Sequence, residues 1–392
     1  MNLLTKKSEV TNSDYFTVSN FRSAQYTLLN YFMNLCVEYI SKQNKNYLKV
    51  NNIKIRDIVT YNGIHNNLLT QVTVDVSFGN VENTTTKTFL KFFIPTLIDD
   101  SFFILNENYF VPTLYILDKP LVIKKKSIKL TSTFNSITIY DKLITFMGTN
   151  IPATYFLDLF LPDSDPELAA LKATFINTFK INCSYTLSEV DLIIYFSNLF
   201  RCDPDRATIQ TFINNIFFDD YAKLLYRCCY NLEEKDINIT NLLKLIVNQK
   251  NIMDDETFID LDQKRLVFIE ILLWPIFKRV ANIAGQAARG FSVNEINMDQ
   301  MELVKYFYTK LHNKFIYDNV NAYDTMLQHK AYMLSPNAEQ APGVVANLHP
   351  THYKKICPTS VSSQSPGETI YIVAETKFDI FGRFLEDQYH VG

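Results

Sequence analysis

The chain has 392 residues, of which 47% are hydrophobic and 20% charged, and its formal net charge at pH 7 is −3. These values are typical of globular proteins and exclude an intrinsically disordered chain. At this length we expect two or three domains. Since the net charge gives no overall attraction to a polyanion, any contact with nucleic acid must come from local basic clusters.

Residue usage is skewed towards amino acids with AT-rich codons. The chain has 30 Phe and 23 Tyr but only 9 Gly. The bias indicates an AT-rich genome, and an AT-rich free-living bacterium is one source that fits this composition.

Cysteine usage and the N-terminus indicate a reducing compartment. The 6 cysteines include no C-x-x-C pair, and the N-terminal residues lack the apolar run of a signal peptide. The longest apolar stretch, residues 266–277, contains Glu270 and Pro275, and it is too short to span a bilayer. We therefore expect a cytoplasmic protein with no membrane contact.

The first part of the chain predicts one helix followed by β structure. Apolar residues recur at helical spacing over 20–42, with Ser19 as the N-cap. Residues 72–78 alternate between apolar and polar, which predicts a half-buried strand. Further short strands are predicted over 89–94, 102–105, 110–117 and 127–130, with a turn at 106–108.

From Pro152 onward the pattern becomes helical. The stretch 186–189 has the form of a capping box ahead of an apolar run over 192–200. Acidic residues in the loops, among them Asp165 and Asp205, are expected at helix N-termini. Further helices are predicted over 266–284 and 300–316, and the stretch 335–369 is loop-rich. We expect an α+β multidomain fold.

The most informative stretch lies near the C-terminus and reads His349-Pro350-Thr351-His352-Tyr353-Lys354-Lys355-Ile356-Cys357-Pro358. It resembles the H-P-T-H-Y-G-R-x-C-P segment of the β subunit of bacterial-type multisubunit RNA polymerase. In that family the segment lies in the fork domain, beside the downstream edge of the transcription bubble. The two departures are Lys354, where the family has Gly, and Lys355, where it has Arg.

Four further stretches follow the β subunit in the same order. Residues 94–106 resemble the I-P-L-M…G-x-F-I-[IV]-N-G segment of the protrusion, and residues 260–265 resemble a shortened D-I-D-H-L-x-N-R-R. His329-Lys330 is similar to the H-K of H-K-R-R-x-S-A-L-G. Residues 382–386 are similar to G-F-L-E with Arg383 inserted.

The resemblance implies a division into protrusion, lobe and fork. Residues 1–150 would form a first protrusion-like segment, 151–258 a lobe-like helical domain, 259–317 the returning protrusion-like segment and 318–392 a fork-like region. The lobe-like assignment rests on position alone, because no motif matches there. Since the chain is far shorter than a whole β subunit, it resembles the N-terminal part of a split subunit. Together with the AT-rich composition, a split subunit indicates a large DNA bacteriophage.

The implied function is that of a subunit of a DNA-directed RNA polymerase, a nucleotidyltransferase, with no catalytic residue on this chain. In the family an aspartate triad in N-A-D-F-D-G-D on the other large subunit holds the catalytic Mg²⁺. No metal or other cofactor is therefore expected on this chain. The implied partners are a C-terminal β fragment, β′-like subunits, template DNA, RNA and a possible promoter-specificity subunit, in the cytoplasm of the infected bacterial host.

Seven residues are implied to face nucleic acid: His329, Lys330, His349, His352, Tyr353, Lys354 and Lys355. The paired ammonium groups of Lys354 and Lys355 suit phosphates, which they would contact without reading sequence. We further expect residues 370–384 to present apolar surface that the C-terminal β fragment covers.

Two other functions stay open. The chain could be a non-enzymatic phage scaffold or interaction protein that keeps a polymerase-like fold. It could also be a metal hydrolase, because His349, His352 and Cys357 carry ligand types that bind zinc. Against the metal, Pro350 disfavours a helical register and no fourth ligand has suitable spacing. We therefore predict no metal site.

Overall fold

The computed structural model describes most of the chain, namely residues 15–43, 48–62, 65–80, 83–99, 102–112, 114–124, 127–182, 187–248, 260–274, 276–277, 296–297, 330–333, 349–357 and 369–385. Helices occur together with several antiparallel sheets, so the α+β prediction is confirmed. The predicted helix over 300–316 and the implied site residue His329 lie outside the described residues.

The structure gives bounds for seventeen strands and eight α-helices, and residues 269–274 and 276–277 are helical as well. The strands are β1 (Phe16–Thr17), β2 (Leu48–Asn62), β3 (His65–Asn80), β4 (Asn83–Pro95), β5 (Phe103–Leu105), β6 (Asn108–Phe110), β7 (Leu114–Asp118), β8 (Leu121–Lys124), β9 (Ser127–Thr131), β10 (Ser136–Ile139), β11 (Leu143–Phe146), β12 (Thr149–Pro152), β13 (Lys264–Val267), β14 (Ile296–Asn297), β15 (Ala331–Met333), β16 (Thr369–Tyr371) and β17 (Lys377–Phe378). The helices are α1 (Val18–Tyr26), α2 (Leu29–Gln43), α3 (Ala153–Phe160), α4 (Pro166–Phe179), α5 (Glu189–Phe200), α6 (Arg206–Phe217), α7 (Asp220–Tyr230) and α8 (Ile239–Asn248).

The chain divides into two compact units. Unit 1 joins residues 1–117 to residues 259–392, and unit 2 is the continuous stretch 118–258. The second junction coincides with the boundary expected at 258/259, whereas the first falls before the expected 150/151. The reason is that β8–β12 belong to the same compact unit as the helices that follow them. The naming of these parts as protrusion, lobe and fork stays a prediction.

The first helical region of unit 1 consists of two helices where the sequence predicted one. The N-cap is Thr17, whose backbone N–H bonds to Asn20 Oδ1 at 2.8 Å, and the predicted cap Ser19 lies inside α1. The Thr27 hydroxyl donates to the Ala24 carbonyl at 2.6 Å. This local bond competes with continuation of the helix, and α2 begins only at Leu29.

Two four-stranded sheets organise unit 1. In the order β14-β4-β3-β2, the long strands pair antiparallel, and Val72 and Val74 of β3 are fully buried, as their alternation predicted. In the order β13-β7-β15-β16, strands from three distant parts of the chain become neighbours. The predicted turn between β5 and β6 is confirmed, with Asn106 and Glu107 at positive φ.

Unit 2 packs the five-stranded antiparallel sheet β12-β11-β10-β9-β8 against helices. The Phe146 ring of β11 lies 6.0 Å from Phe200 and 6.4 Å from Phe217, measured between ring centroids. Tyr226 donates its hydroxyl hydrogen to the Pro120 carbonyl at 3.0 Å. Because the buried face of the sheet and the apolar faces of the helices cover each other, they form one core.

Side chains cap helices of unit 2, and the sequence predicted two of these caps. The carboxylates of Asp165 and Asp205 accept N–H groups in the first turns of α4 and α6, so the expected N-caps are confirmed. The helix α5 is capped by Ser188, whose Oγ accepts the Asp191 N–H at 3.2 Å. The predicted first residue of that capping box, Thr186, lies outside the described residues.

Among the described residues, no helix combines the length and apolar character that crossing a bilayer requires.

Candidate nucleic-acid interface

The stretch 349–357, called here the fork-like turn, is held by its own side chains. Pro350 opens a short 3-10 turn that runs to His352. Ahead of it, His349 Nδ1 accepts the Thr351 N–H at 3.3 Å and lies 2.8 Å from the Thr351 hydroxyl oxygen. His352 Nδ1 accepts the His349 N–H at 3.4 Å. The two histidines therefore act as caps for a turn whose entry proline already has a restricted φ.

A second segment, residues 260–263, packs against this turn. Asp260 caps a 3-10 turn by accepting the Asp262 N–H at 2.9 Å. The backbone N–H of Leu261 donates to the Thr351 hydroxyl oxygen at 3.0 Å. Lys355 Nζ lies 3.0 Å from Asp262 Oδ1. A hydrogen bond and an ion pair thus join two stretches that are far apart in sequence and that both resemble segments of the polymerase β subunit.

A third segment, residues 369–376, borders the fork-like turn on its C-terminal side. Ile356 forms an antiparallel bridge with Ile372, and the Val373 N–H donates to the Lys355 carbonyl at 3.0 Å. The Thr376 hydroxyl also donates to the Lys355 carbonyl, at 3.3 Å. The carbonyl of Lys330 accepts the Ile372 N–H at 2.9 Å. The backbone of the turn is therefore fixed from both directions.

A fourth segment around Gly382 closes the arrangement. The Leu266 N–H donates to the Gly382 carbonyl at 2.8 Å, and Arg265 forms a bridge with Arg383. Gly382 has φ +79°, and a Cβ built there would lie 1.8 Å from the Leu266 carbonyl oxygen. The close approach of the two backbones requires glycine at this position.

The implied nucleic-acid residues fall into two groups by exposure. Tyr353 is 77% exposed and Lys354 is exposed beside it, whereas His352 is only 9% exposed. The Lys355 side chain is 15% exposed, and its ammonium group is paired with Asp262. His349 and Lys330 are half-buried. The exposed part of the turn is therefore its tip, Tyr353 and Lys354.

Lys354 has φ +59°, in the left-handed region that glycine adopts readily. The polymerase segment that the turn resembles has Gly at this position. Lys354 Nζ lies 5.5 Å from the centroid of the Tyr353 ring. In this chain a cationic side chain therefore occupies a left-handed backbone position at the tip of the turn.

The apolar surface expected over 370–384 is not found at residues 372–381, whose apolar side chains the structure describes. Ile372, Phe378, Ile380 and Phe381 are all buried, with exposures between 0% and 8%. The Phe378 ring lies 5.6 Å from Phe21 and 5.1 Å from Phe384, measured between centroids. The expectation was wrong for residues 372–381, because these side chains fill the core of unit 1. The side chains of residues 370 and 371 lie outside the described residues.

Two residues that support this arrangement carry no motif signal. Buried Gln25 accepts the Phe268 N–H at 2.8 Å and donates to the Ile380 carbonyl at 3.2 Å. Asp379 accepts the N–H groups of Phe381 and Arg383 at 3.0 and 2.9 Å. The partners of Gln25 are distant in sequence, and those of Asp379 are reached only through a local turn that the hydrophobic pattern does not predict.

In the described part of the chain, no three side chains of His, Cys, Asp or Glu come together as a possible metal site.

Comparison with known proteins gives no match, either to a family model or to a curated protein.

Proposed function

We propose that this chain is the N-terminal part of a split β subunit in a multi-chain DNA-dependent RNA polymerase. The observation that carries the proposal is the meeting of the resemblance-bearing stretches: residues 260–265, Lys330, residues 349–357 and residues 382–385 are neighbours in unit 1. Four stretches that agree with one family in order have a common reason to be adjacent, because they would build the returning protrusion-like segment and the fork-like region of one fold.

The proposed role is non-catalytic within the assembly. The chain would form one wall of the DNA cleft and present the tip of the fork-like turn to nucleic acid. Nucleotidyl transfer would follow the two-metal mechanism on a partner chain. The partners would be a C-terminal β fragment, β′-like chains and a promoter-specificity subunit, and the site of action would be the cytoplasm of an infected bacterium.

Isolation of the native complex tests this proposal. The tagged chain is purified from cells that produce it naturally, and the co-purified proteins are identified by mass spectrometry. We expect one chain that resumes the β sequence after the G-F-L-E position and one that contains N-A-D-F-D-G-D. The complex should synthesise RNA on a DNA template with Mg²⁺, whereas the isolated chain should not.

A matched control uses the partner's aspartate triad. Replacing one triad aspartate with Ala should abolish RNA synthesis and leave the set of co-purified proteins unchanged. RNA synthesis by the isolated chain, or a complex without either partner type, would contradict the proposal. The second of these outcomes favours the alternative of a scaffold or interaction protein.

A further inference from the structure

The tip of the fork-like turn combines an exposed aromatic ring with an exposed cation on a fixed backbone. Tyr353, at 77%, has the greatest exposure among the exposed large hydrophobic side chains of the described residues. The next residue is the exposed Lys354. Burying an exposed aromatic ring against a base contributes binding free energy, and a neighbouring ammonium group suits a phosphate.

The backbone beneath the tip is already ordered. The Tyr353 N–H donates to the Pro350 carbonyl at 3.2 Å, and the Lys355 N–H donates to the His352 carbonyl at 3.0 Å. On the far side, the Thr376 hydroxyl donates to the Lys355 carbonyl. Since the turn needs no further ordering when a ligand arrives, little of the binding free energy is lost to backbone entropy.

Backbone conformation alone does not distinguish Lys354. Lys180 and Arg201 also have positive φ, but each ends a helix, where a left-handed residue is common. Lys354 instead follows an exposed aromatic residue within a turn. The combination of ring and cation is what carries the inference, and Lys180 serves as a control.

We propose that Tyr353 stacks on an unpaired base while Lys354 contacts the adjacent phosphate, so that the tip prefers single-stranded nucleic acid to duplex. The inference rests on the nucleic-acid role in the proposed function and specifies the ligand of that site. Stacking needs the face of a base, and in a duplex each base face is covered by its neighbours. Nothing at the tip selects a particular base, so binding should be insensitive to sequence.

Fluorescence anisotropy with the purified full-length chain tests the inference. The probes are labelled oligothymidylate, oligouridylate and abasic deoxyribose-phosphate strands, each roughly 15 nucleotides long to match single-strand site sizes, and a duplex of the same length. Wild-type protein should bind the base-bearing strands on the order of tenfold more tightly than the abasic strand or the duplex. The DNA and RNA arms report which sugar is preferred.

Two tip variants separate the ring from the cation. Tyr353→Ala should bind the base-bearing and abasic strands equally, while Tyr353→Phe should retain the preference. Lys354→Gly relieves the left-handed backbone and removes the charge, so it should lower the salt slope for single strands by about 0.7 units. Tyr140→Ala and Lys180→Gly, at other exposed sites, should behave as wild type.

The binding results test the stacking role of Tyr353 independently of whether the chain is a polymerase subunit. No binding by the wild-type chain, or equal binding of abasic and base-bearing strands, overturns the stacking role even if the native complex proves to be a polymerase. A base preference that Tyr353→Ala removes supports it even if the chain co-purifies with no polymerase subunit.

Discussion

Gln25 Oε1 accepts the backbone N–H of Phe268 at 2.8 Å, across 243 positions of sequence. The same oxygen accepts the Ile269 N–H at 3.3 Å, and Gln25 Nε2 donates to the Ile380 carbonyl at 3.2 Å. One fully buried amide therefore joins the first helix of unit 1 to two segments, one before and one after the fork-like turn in sequence.

Replacing Gln25 with Ala should destabilise unit 1 strongly. The change leaves buried backbone groups without partners, and each such group costs about 1–3 kcal/mol. We expect a loss of about 3 kcal/mol or more in the unfolding free energy, measured by urea denaturation. Asn30→Ala, at an exposed amide on α2, should change it by less than about 0.5 kcal/mol. Equal losses for the two variants would contradict this role of Gln25.

The two described glycines with positive φ make a matched pair. Gly382→Ala should prevent unit 1 from folding, because the new Cβ would lie 1.8 Å from the Leu266 carbonyl oxygen. Gly148→Ala meets no atom within 4 Å at φ +74°, so only backbone strain of about 1–2 kcal/mol is expected. Circular dichroism and limited proteolysis should show an unfolded unit 1 in Gly382→Ala and a native-like protein in Gly148→Ala. A native-like Gly382→Ala protein would show that the close approach to Leu266 is absent.

The ion pair between Lys355 and Asp262 should contribute modestly to stability. Its side chains are 15% and 43% exposed, so solvent screens the interaction. A double-mutant cycle with Lys355→Ala and Asp262→Ala should give a coupling of about 0.5–1 kcal/mol. Lys355→Ala should leave the salt slope of single-strand binding unchanged, in contrast to Lys354→Gly. A lowered slope in Lys355→Ala would mean that both lysines contact phosphate.

Asp219 should make unit 2 less stable as the pH rises from 4 to 7. Burial raises the pKa of its carboxyl from 3.8 to about 6, so the folded state binds a proton that the unfolded state has released. The stabilisation that proton binding at Asp219 gives to the folded state is complete below pH 4 and is lost as the pH rises through 6. Relative to Asp219→Asn, the unfolding free energy of the wild type should fall by about 3 kcal/mol over this range.

Asp205 provides the control of opposite sign. It also caps a helix, but hydrogen bonds from the Thr208 N–H and hydroxyl lower the pKa of its carboxyl. Its contribution is therefore present above the ordinary pKa of an aspartate and is lost as the pH falls through the lowered value. The wild type should therefore lose its advantage in unfolding free energy over Asp205→Asn as the pH falls. The same pH trend in both variants would contradict the role of burial at Asp219.

Unit 2 should fold as an isolated fragment only if its sheet is included. Residues 118–258 contain the sheet β8–β12 as well as the helices, and we expect cooperative thermal unfolding. A fragment of residues 151–258 lacks most of that sheet, which leaves Phe200 and Phe217 without Phe146. It should be aggregated or unfolded. Cooperative unfolding of the shorter fragment would support the domain boundary at 150/151.

The parts of the fold that sequence could predict are those held by neighbours a few positions away. The alternation of Val72 and Val74 predicted a half-buried strand, and Asp165 and Asp205 were recognisable as helix caps. Each depends on backbone geometry within one strand or one helical turn. The break at Thr27 was missed because a side-chain hydrogen bond, and no proline or glycine, ends α1.

Tertiary structure alone decided which residues of the candidate site are available. The motif pointed to the fork-like turn, but it could not separate the exposed Tyr353 from the buried His352, nor show that Asp262 pairs with Lys355. It also predicted a free apolar surface where Phe381 is in fact core. Burial and ion pairing depend on segments distant in sequence, and only their meeting in space determines which groups water and a ligand can reach.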